Sequence, residues 1–331
     1  MSRTMTPPAV FARALAVAWL LPAAAVAAAD GAGAYPQRPI RLVVAQTAGG
    51  NADFVARSYA QRLAERLGQQ IVVDNRPGGG GVIGTELVVR AAPDGYTLLL
   101  APTSHGINPS ILDKLPYDSV RDLAPISLLG TAPNMLVVGS GFAPRTVREI
   151  IAAARAQPGK LHYSSSGVAT SPHLAGALFC YLAGVDMQHV AYKGGPAAMI
   201  AVSSGEADMS FGSMASALPL VRAGKLRPVA ITARMRWPSL PELPTVAESG
   251  LPGYENSLWQ ALLAPAKTPP AVVARLHREI AAIAKIPEFR ERLMVEGTEA
   301  VGSTPAALAE HIAQEIERWR KVVKAAGIKA N

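Results

Sequence analysis

Unbroken apolar runs of five or six residues, each ended by a glycine- or hydroxyl-rich loop and followed by a helical segment, constrain this chain most. Ile40–Ala45 (IRLVVA) has no polar alternation beyond Arg41, as a strand covered on both faces requires. Gly49 and Gly50 end it, and Asn51 is placed to cap a helix over Ala52–Leu67. Gln70–Asp74 is the next strand, the glycines Gly78–Gly81 open a helical stretch reaching Ala91, and Tyr96–Ala101 (YTLLLA) is a third strand. Strand, helix, strand, helix, strand is the grammar of a parallel sheet covered by helices. The pattern restarts with strands expected at Met135–Val138, Leu161–Ser164, His189–Ala191, Met209–Phe211 and Pro228–Thr232. The helices between them are Val147–Ala156, His173–Ala183 and Ala197–Ser204. The end of the chain is mostly helical: Pro269–Ala284, Pro287–Glu296 and Pro305–Ala326, with Pro at their starts and Gly297 and Gly327 after two of their ends. At 331 residues, half of them apolar, the chain has material for two ordinary domains.

The first 29 residues differ in kind. Met1–Arg13 has two arginines and no acid, Ala14–Leu21 is apolar, and Ala23–Ala29 is nearly all small residues ending in Ala-x-Ala. That is a secretory signal peptide cleaved near residues 27–29, with an apolar run too short for a membrane span of about 20 residues. No cysteine lies nearby to carry a lipid. The single cysteine, Cys180, permits no internal disulfide and reads as packing. The formal charge is +8; cleavage removes Arg3 and Arg13 and no acid, leaving +6. No block of like charge occurs, so the excess is a solvated basic surface rather than a nucleic-acid site.

Several motifs imitate catalytic or cofactor chemistry. Gly79, Gly81 and Gly84 satisfy G-x-G-x-x-G, but the following strand ends in Ala101–His105 with no acid for a ribose, and an exported chain meets no nucleotide pool. The six histidines show no metal-ligand spacing, and no cofactor is expected. Ser164-Ser165-Ser166-Gly167 offers a nucleophile without a G-x-S-x-G elbow, which leaves a secreted serine hydrolase as the rival from another class. The charges of Glu315–Arg320 read as a solvated helix face.

Three loops remain: Gln46–Asp53, Ser164–Ser171 and Lys193–Ala197, each after a strand and before a helix. Such loops gather at the carboxyl ends of parallel strands and aim helix N-termini at a cleft, which suits an anion. Lys193 is their only cation. Asp53 opposes an anion site and is expected to cap its helix or receive a donor from the ligand.

These residues carry a family resemblance. Tyr35-Pro36-Gln37-Arg38-Pro39-Ile40-Arg41 followed by Gly49-Gly50-x-x-Asp53-x-x-x-Arg57 resembles the start of mature Bug receptors, the extracytoplasmic solute-binding proteins of tripartite tricarboxylate transporters. The match continues through Asn75-Arg76-Pro77-Gly78, Pro93-Asp94-Gly95-Tyr96-Thr97, Leu115-Pro116-Tyr117-Asp118, Pro158-Gly159-Lys160-Leu161 and His173-Leu174-Ala175-Gly176. It closes with Ala191-Tyr192-Lys193-Gly194, Ala223–Arg227, Pro244–Glu248 and Ala264-Pro265. The resemblance implies an α/β chain with a type II periplasmic-binding-protein fold. Two α/β lobes would close on a ligand: residues 30–133 and 256–331 in lobe one, 134–255 in lobe two. It implies a periplasmic, monomeric receptor without catalysis that delivers a small carboxylate to a membrane permease; presentation to a membrane kinase would use the same cleft. The ligand-binding positions implied are Thr47, Ala48, Gly49, Gly50, Asp53, Thr103 and Ser104 in lobe one, and Ser164, Ser165, Ser166, Thr170, Lys193 and Gly194 in lobe two. Three departures bear on the pocket. Gln46 stands where the family has a hydrophobic residue, favouring a more polar ligand. Ala201 and Gly212 replace acids, which weakens any expectation of an amine-bearing ligand.

Overall fold

The computed structural model describes residues 1, 2, 4, 5 and 35–328. The expected signal peptide therefore falls almost wholly outside the described residues. No helix among those described is long and apolar enough to cross a membrane.

Among the described residues, ten strands and ten α-helices follow one another in largely alternating order. β1 (Ile40–Val44) pairs in parallel with β2 (Ile71–Asn75) on one side and β3 (Thr97–Pro102) on the other, with α1 (Asn51–Leu67) and α2 (Val82–Val89) as crossovers. After β3 come α3 (Ser104–Ile111) and β4 (Leu123–Gly139), a 17-residue strand that belongs to both halves of the molecule. Its first part, to Pro133, pairs antiparallel with β9; from Asn134 onward it pairs with β7 and β8. The second half contains α4 (Val147–Ala156), β5 (His162–Ser165), α5 (Ser171–Ala183), β6 (Gln188–Ala191), α6 (Gly195–Ser204), β7 (Met209–Ser213), α7 (Met214–Arg222) and β8 (Leu226–Ile231). The chain returns through β9 (Ser257–Pro265), followed by α8 (Pro270–Ile283), α9 (Pro287–Val295), the short β10 (Glu299–Ala300) and α10 (Pro305–Ala326). The strand order is β2-β1-β3-β9-β4-β7-β5-β6, with β8 and β10 also on β4.

Each half has its own core on both sheet faces. Leu42, Val44, Leu98 and Leu100 meet α1 and α8 through Val55, Tyr59 and Leu276, while Val43, Leu99 and Ala261 meet α10 through Leu308 and Ile312. In the second half, Leu136, Val138 and Phe211 pack under α4 and α5, and Met135, Val137 and Ile231 under α6 and α7. The molecule is thus two α/β lobes joined by β4 and by the chain entering β9.

A buried polar knot ties the two crossings. The Asn134 amide donates to Asn256 Oδ1 (2.6 Å) and Ser171 Oγ (2.9 Å), and Thr232 Oγ1 donates to the carbonyls of Asn134 and Asn256. Ser171 opens α5, so the connection between lobes is bonded directly to a helix that faces the space between them.

The structure departs from the sequence expectations at identifiable points. Gly50, not Asn51, caps α1; Asn51 is the first helical residue, and its amide donates to Thr298 Oγ1 at 2.8 Å. α3 and α7 carry Pro109 and Pro219 inside them and were not expected, and β4 extends twelve residues before the Met135 start read from the sequence. Glu315 is not on a solvated face. It is 7% exposed, and its Oε2 accepts the indole N–H of Trp259 (3.0 Å) and of Trp319 (3.1 Å), which binds α10 to β9.

Candidate functional site between the lobes

A cavity of about 630 Å³ lies between the lobes. Its walls are the carboxyl ends of the parallel strands and the loops that lead from them into helices, as the open-sheet rule requires. Six helices start at this wall: α1, α2 and α3 from lobe one, and α5, α6 and α7 from lobe two. Residues at each of these starts line the cavity: Gly50, Gly81, Thr103, Thr170, Gly194 and Ser213. Ser213 caps α7 with its own side chain, but the other five starts have no side-chain cap. First-turn N–H groups have no partner inside a helix and carry the positive end of its dipole. Lys193 is the only charged side chain in the lining among the described residues; no Asp or Glu lines it. The lining therefore suits an anion, with donors supplied mainly by backbone.

Of the thirteen positions expected from the sequence, Thr47, Gly50, Thr103, Ser166, Thr170, Lys193 and Gly194 line this cavity. Ala48, Gly49, Asp53, Ser104, Ser164 and Ser165 do not, because the fold uses them behind the wall or at its rim. Ser164 Oγ donates to the Ala198 carbonyl at 3.0 Å and is fully buried. Ser165 Oγ bonds His189 Nε2 at 2.6 Å and receives the Gly167 N–H at 3.1 Å. Ser104 is 1% exposed at the start of α3. Asp53 receives the Gly49 N–H at 3.1 Å and both Arg57 Nε contacts at 3.1 Å. Burial pushes the Asp53 carboxyl upward, but the Arg57 and Gly49 bonds outweigh it and hold it below the usual carboxylate range. Arg57 also reaches Asn75 Oδ1, and the Asn75 amide donates to the Gln46 carbonyl. This chain of bonds fixes loop 46–50 from outside the cavity and neutralises the acid that would otherwise oppose an anion.

The lobe-two loop is held in a comparable way. Ala169 adopts φ +60°, and its N–H donates to His173 Nδ1 at 3.3 Å. His173 stacks on His189, ring centres 4.0 Å apart, and His189 holds Ser165. The Ser165–His189 pair looks like a nucleophile and base, yet Ser165 is fully buried and does not line the cavity.

The lobes touch at two rims. On one, Gly194 lies so close to Thr47 that a Cβ there would collide with the threonine side chain, and a Cβ on Gly49 would meet Pro196 Cγ at 3.3 Å. On the other, a Cβ on Gly80 would lie 3.1 Å from the Val168 carbonyl and 3.4 Å from the Ala169 methyl. The glycines 78–81, all at positive φ, are therefore part of the cavity wall rather than a nucleotide cradle. Gly84 packs against β1, where a Cβ would lie 2.9 Å from Ala45 Cα. Sequence reasoning missed Gln260, Leu258 and Met199, which also line the cavity. Only the crossing of β9 and the packing of α6 bring them there.

Two α/β lobes around an anion-suited cavity define the class of solute-binding receptors. The family described as tripartite tricarboxylate transporter family receptor matches residues 55–328, and the chain belongs to it. BugT of Bordetella pertussis is 35% identical over 308 residues, spanning 92% of this chain and 94% of that protein. Among solved structures, the R. palustris protein Rpa4515 with adipate superposes with a TM-score of 0.87 at 35% identity, covering 89% of this chain and 99% of that one. MatC from Rhodopseudomonas palustris with bound malate gives 0.83 at 31% identity, covering 87% and 100%. These likenesses establish the two-lobed periplasmic-binding-protein architecture and a solute-binding, Bug-type receptor of carboxylate-binding relatives.

Proposed function

We propose that this chain is an extracytoplasmic receptor that captures a small carboxylate by closing its lobes and passes it to a tripartite tricarboxylate-type permease. The observation that carries this reading is the set of five helix starts without side-chain caps around a cavity whose one charged side chain is Lys193. The adipate and malate held by two relatives belong to the same chemical class. A ligand bonded to N–H groups of both lobes favours the closed arrangement by its differential contacts. The rims at Gly194 and Gly80 are where closure brings the lobes together. The residues in direct contact would be those of loops 46–50, 166–171 and 193–195, with Asp53, Ser164 and Ser165 holding them in place.

Thermal unfolding of the exported chain, residues 30–331, tests this after a denature–refold step that strips carried ligand. The panel holds mono-, di- and tricarboxylates, acidic amino acids and aromatic acids. An acid at about 100 times its Kd adds roughly 2.7 kcal/mol, which is a shift of several degrees for lobes of this size. A selective rise with one acid class is the expected outcome. A panel without any shift overturns the carboxylate reading.

A further inference from the structure

Gln260 occupies the middle of β9, where alternation puts it on one sheet face with Leu258 and Leu262 and opposite Trp259 and Ala261. Leu262 enters the core of lobe one, while Leu258 and Gln260 reach the cavity. Gln260 is 2% exposed, and its Oε1 is sealed from solvent with no hydrogen-bond partner. Buried amides are almost always bonded, so an unpaired one in a cavity wall is a hydrogen-bonding group available to a ligand. The other buried polar side chains of the lining are engaged within the fold: Thr103 with Trp259, Thr170 with Gly167, Ser171 with Asn256, Ser210 with Ser164 and Ser213 with Ser216. Asn51 uses its amide N–H on Thr298. Asn51 Oδ1 and the hydroxyl of the half-buried Tyr192 are also without partners in the lining, but among the described residues Gln260 is the lining side chain under a tenth exposed that makes no hydrogen bond at either end.

The surroundings decide what that group is. With Lys193 and five helix starts at the cavity wall and no acidic side chain lining it, an ammonium group would be repelled and would find no carboxylate to neutralise it. A carboxylate oxygen only accepts, so it would leave Oε1 unsatisfied and bring charge beside it. A hydroxyl both donates to Oε1 and accepts from Nε2, and it suits the amide in either orientation. We propose that Gln260 is a specificity-determining residue, and that the solute is a carboxylate carrying a neutral hydroxyl group rather than an amino acid or an unsubstituted acid. This rests on the carboxylate reading above and narrows it.

Calorimetric titration of the stripped protein with acids that differ by one hydroxyl tests it: succinate against malate, glutarate against 2-hydroxyglutarate, and benzoate against 4-hydroxybenzoate. The wild type is expected to bind the hydroxylated member of at least one pair about 10- to 100-fold more tightly. In Gln260→Met, which keeps side-chain length and removes both hydrogen-bonding atoms, that preference falls to within about threefold, and the unsubstituted acid binds as well as before or better. The wild-type half needs no variant, so a poorly folded Gln260→Met protein does not rescue the idea. Equal binding of both members of every pair by the wild type overturns the inference, as does an undiminished preference in Gln260→Met. In either case the carboxylate reading stands. If no acid binds the wild type at all, the carboxylate reading falls and takes this inference with it.

Discussion

At the scale of single residues, the cavity depends on positions that have no side chain. Gly194 has φ +105° and faces Thr47 across the gap between lobes. Gly194→Ala therefore adds two costs: a left-handed backbone that alanine resists, about 1–2 kcal/mol, and a methyl wedged against the opposite lobe. If the lobes close on ligand as proposed, the second cost falls on the closed arrangement alone. Gly205, at the other end of the same helix, supplies the control, since its φ is +81° and a Cβ there meets nothing within 4 Å. Both variants are expected to unfold at lower temperature, Gly194→Ala by the larger amount because its φ +105°, ψ 167° backbone is harder for alanine than the left-handed helical Gly205. Only Gly194→Ala should weaken the binding of the acid found in the panel, by roughly tenfold or more, which is about 1.4 kcal/mol on the closed state. Equal affinity in the two variants would show that the Thr47 rim carries no closure contact. The same scale explains which site residues could be read from the sequence. Thr47, Gly50, Ser166 and Lys193 lie in loops whose glycines and hydroxyls announce them. Ser164 and Ser165 carry the same signal, but the fold turns their hydroxyls to Ala198 and His189. Nothing in a local run of serines says which one faces the ligand.

At the scale of elements, legibility follows how local the forces are. β1 and β3 are continuous apolar runs buried on both faces, and α1, α5 and α10 have helical periodicity with glycine at their C-caps, so local sequence identifies them. β4 and β9 owe their length to pairing between distant segments, and β4 contains Pro125 and Pro133, which argue against a strand when taken alone. α3 and α7 hide behind internal prolines that tertiary packing tolerates. Gln260 went unseen for the same reason: a polar residue in an apolar strand signals a site only once β9 is known to cross between lobes. Glu315 shows the opposite error, a charge on a charged helix that turns inward to two tryptophans. Glu315→Ala leaves the Trp259 and Trp319 indole N–H groups unpaired in the interior, and an unsatisfied buried donor costs about 1–3 kcal/mol. Glu317→Ala, two positions on and half exposed beside Arg320 and Lys321, should change stability by less than about 0.5 kcal/mol. Urea unfolding of both variants separates the readings. Equal midpoints would mean that α10 is held to β9 by apolar contact alone.

At the scale of the whole molecule, the acid response is expected to come from histidines in both lobes. His105, 1% exposed on α3, has its Nε2 2.9 Å from the Ser119 carbonyl, and burial lowers its pKa to about 4. His173, 6% exposed, is lowered to about 3 by burial and by the neighbouring His189, which burial itself lowers to about 4. All three are neutral in the fold and would take up protons near pH 6.5 once unfolded. As pH falls below 6.5, the unfolded state binds more protons than the native one, so stability declines until the native values are reached. His105 and His173 each contribute a slope of at most about 1.4 kcal/mol per pH unit within that window. Asp53, held below the usual carboxylate range, adds its own loss only lower, once pH falls through its native value. Scanning calorimetry at constant ionic strength should therefore show a midpoint steady above pH 7 and falling steadily between 6.5 and 4. His105→Asn should flatten part of that slope, since asparagine binds no proton in either state. A midpoint as high at pH 5 as at pH 7 would mean that these histidines are protonated in the fold. His173 also holds the Ala169 N–H from behind the cavity. Because His173 stays neutral in the fold until pH approaches about 3, that bond and ligand binding by the folded protein should persist through the interval in which stability declines.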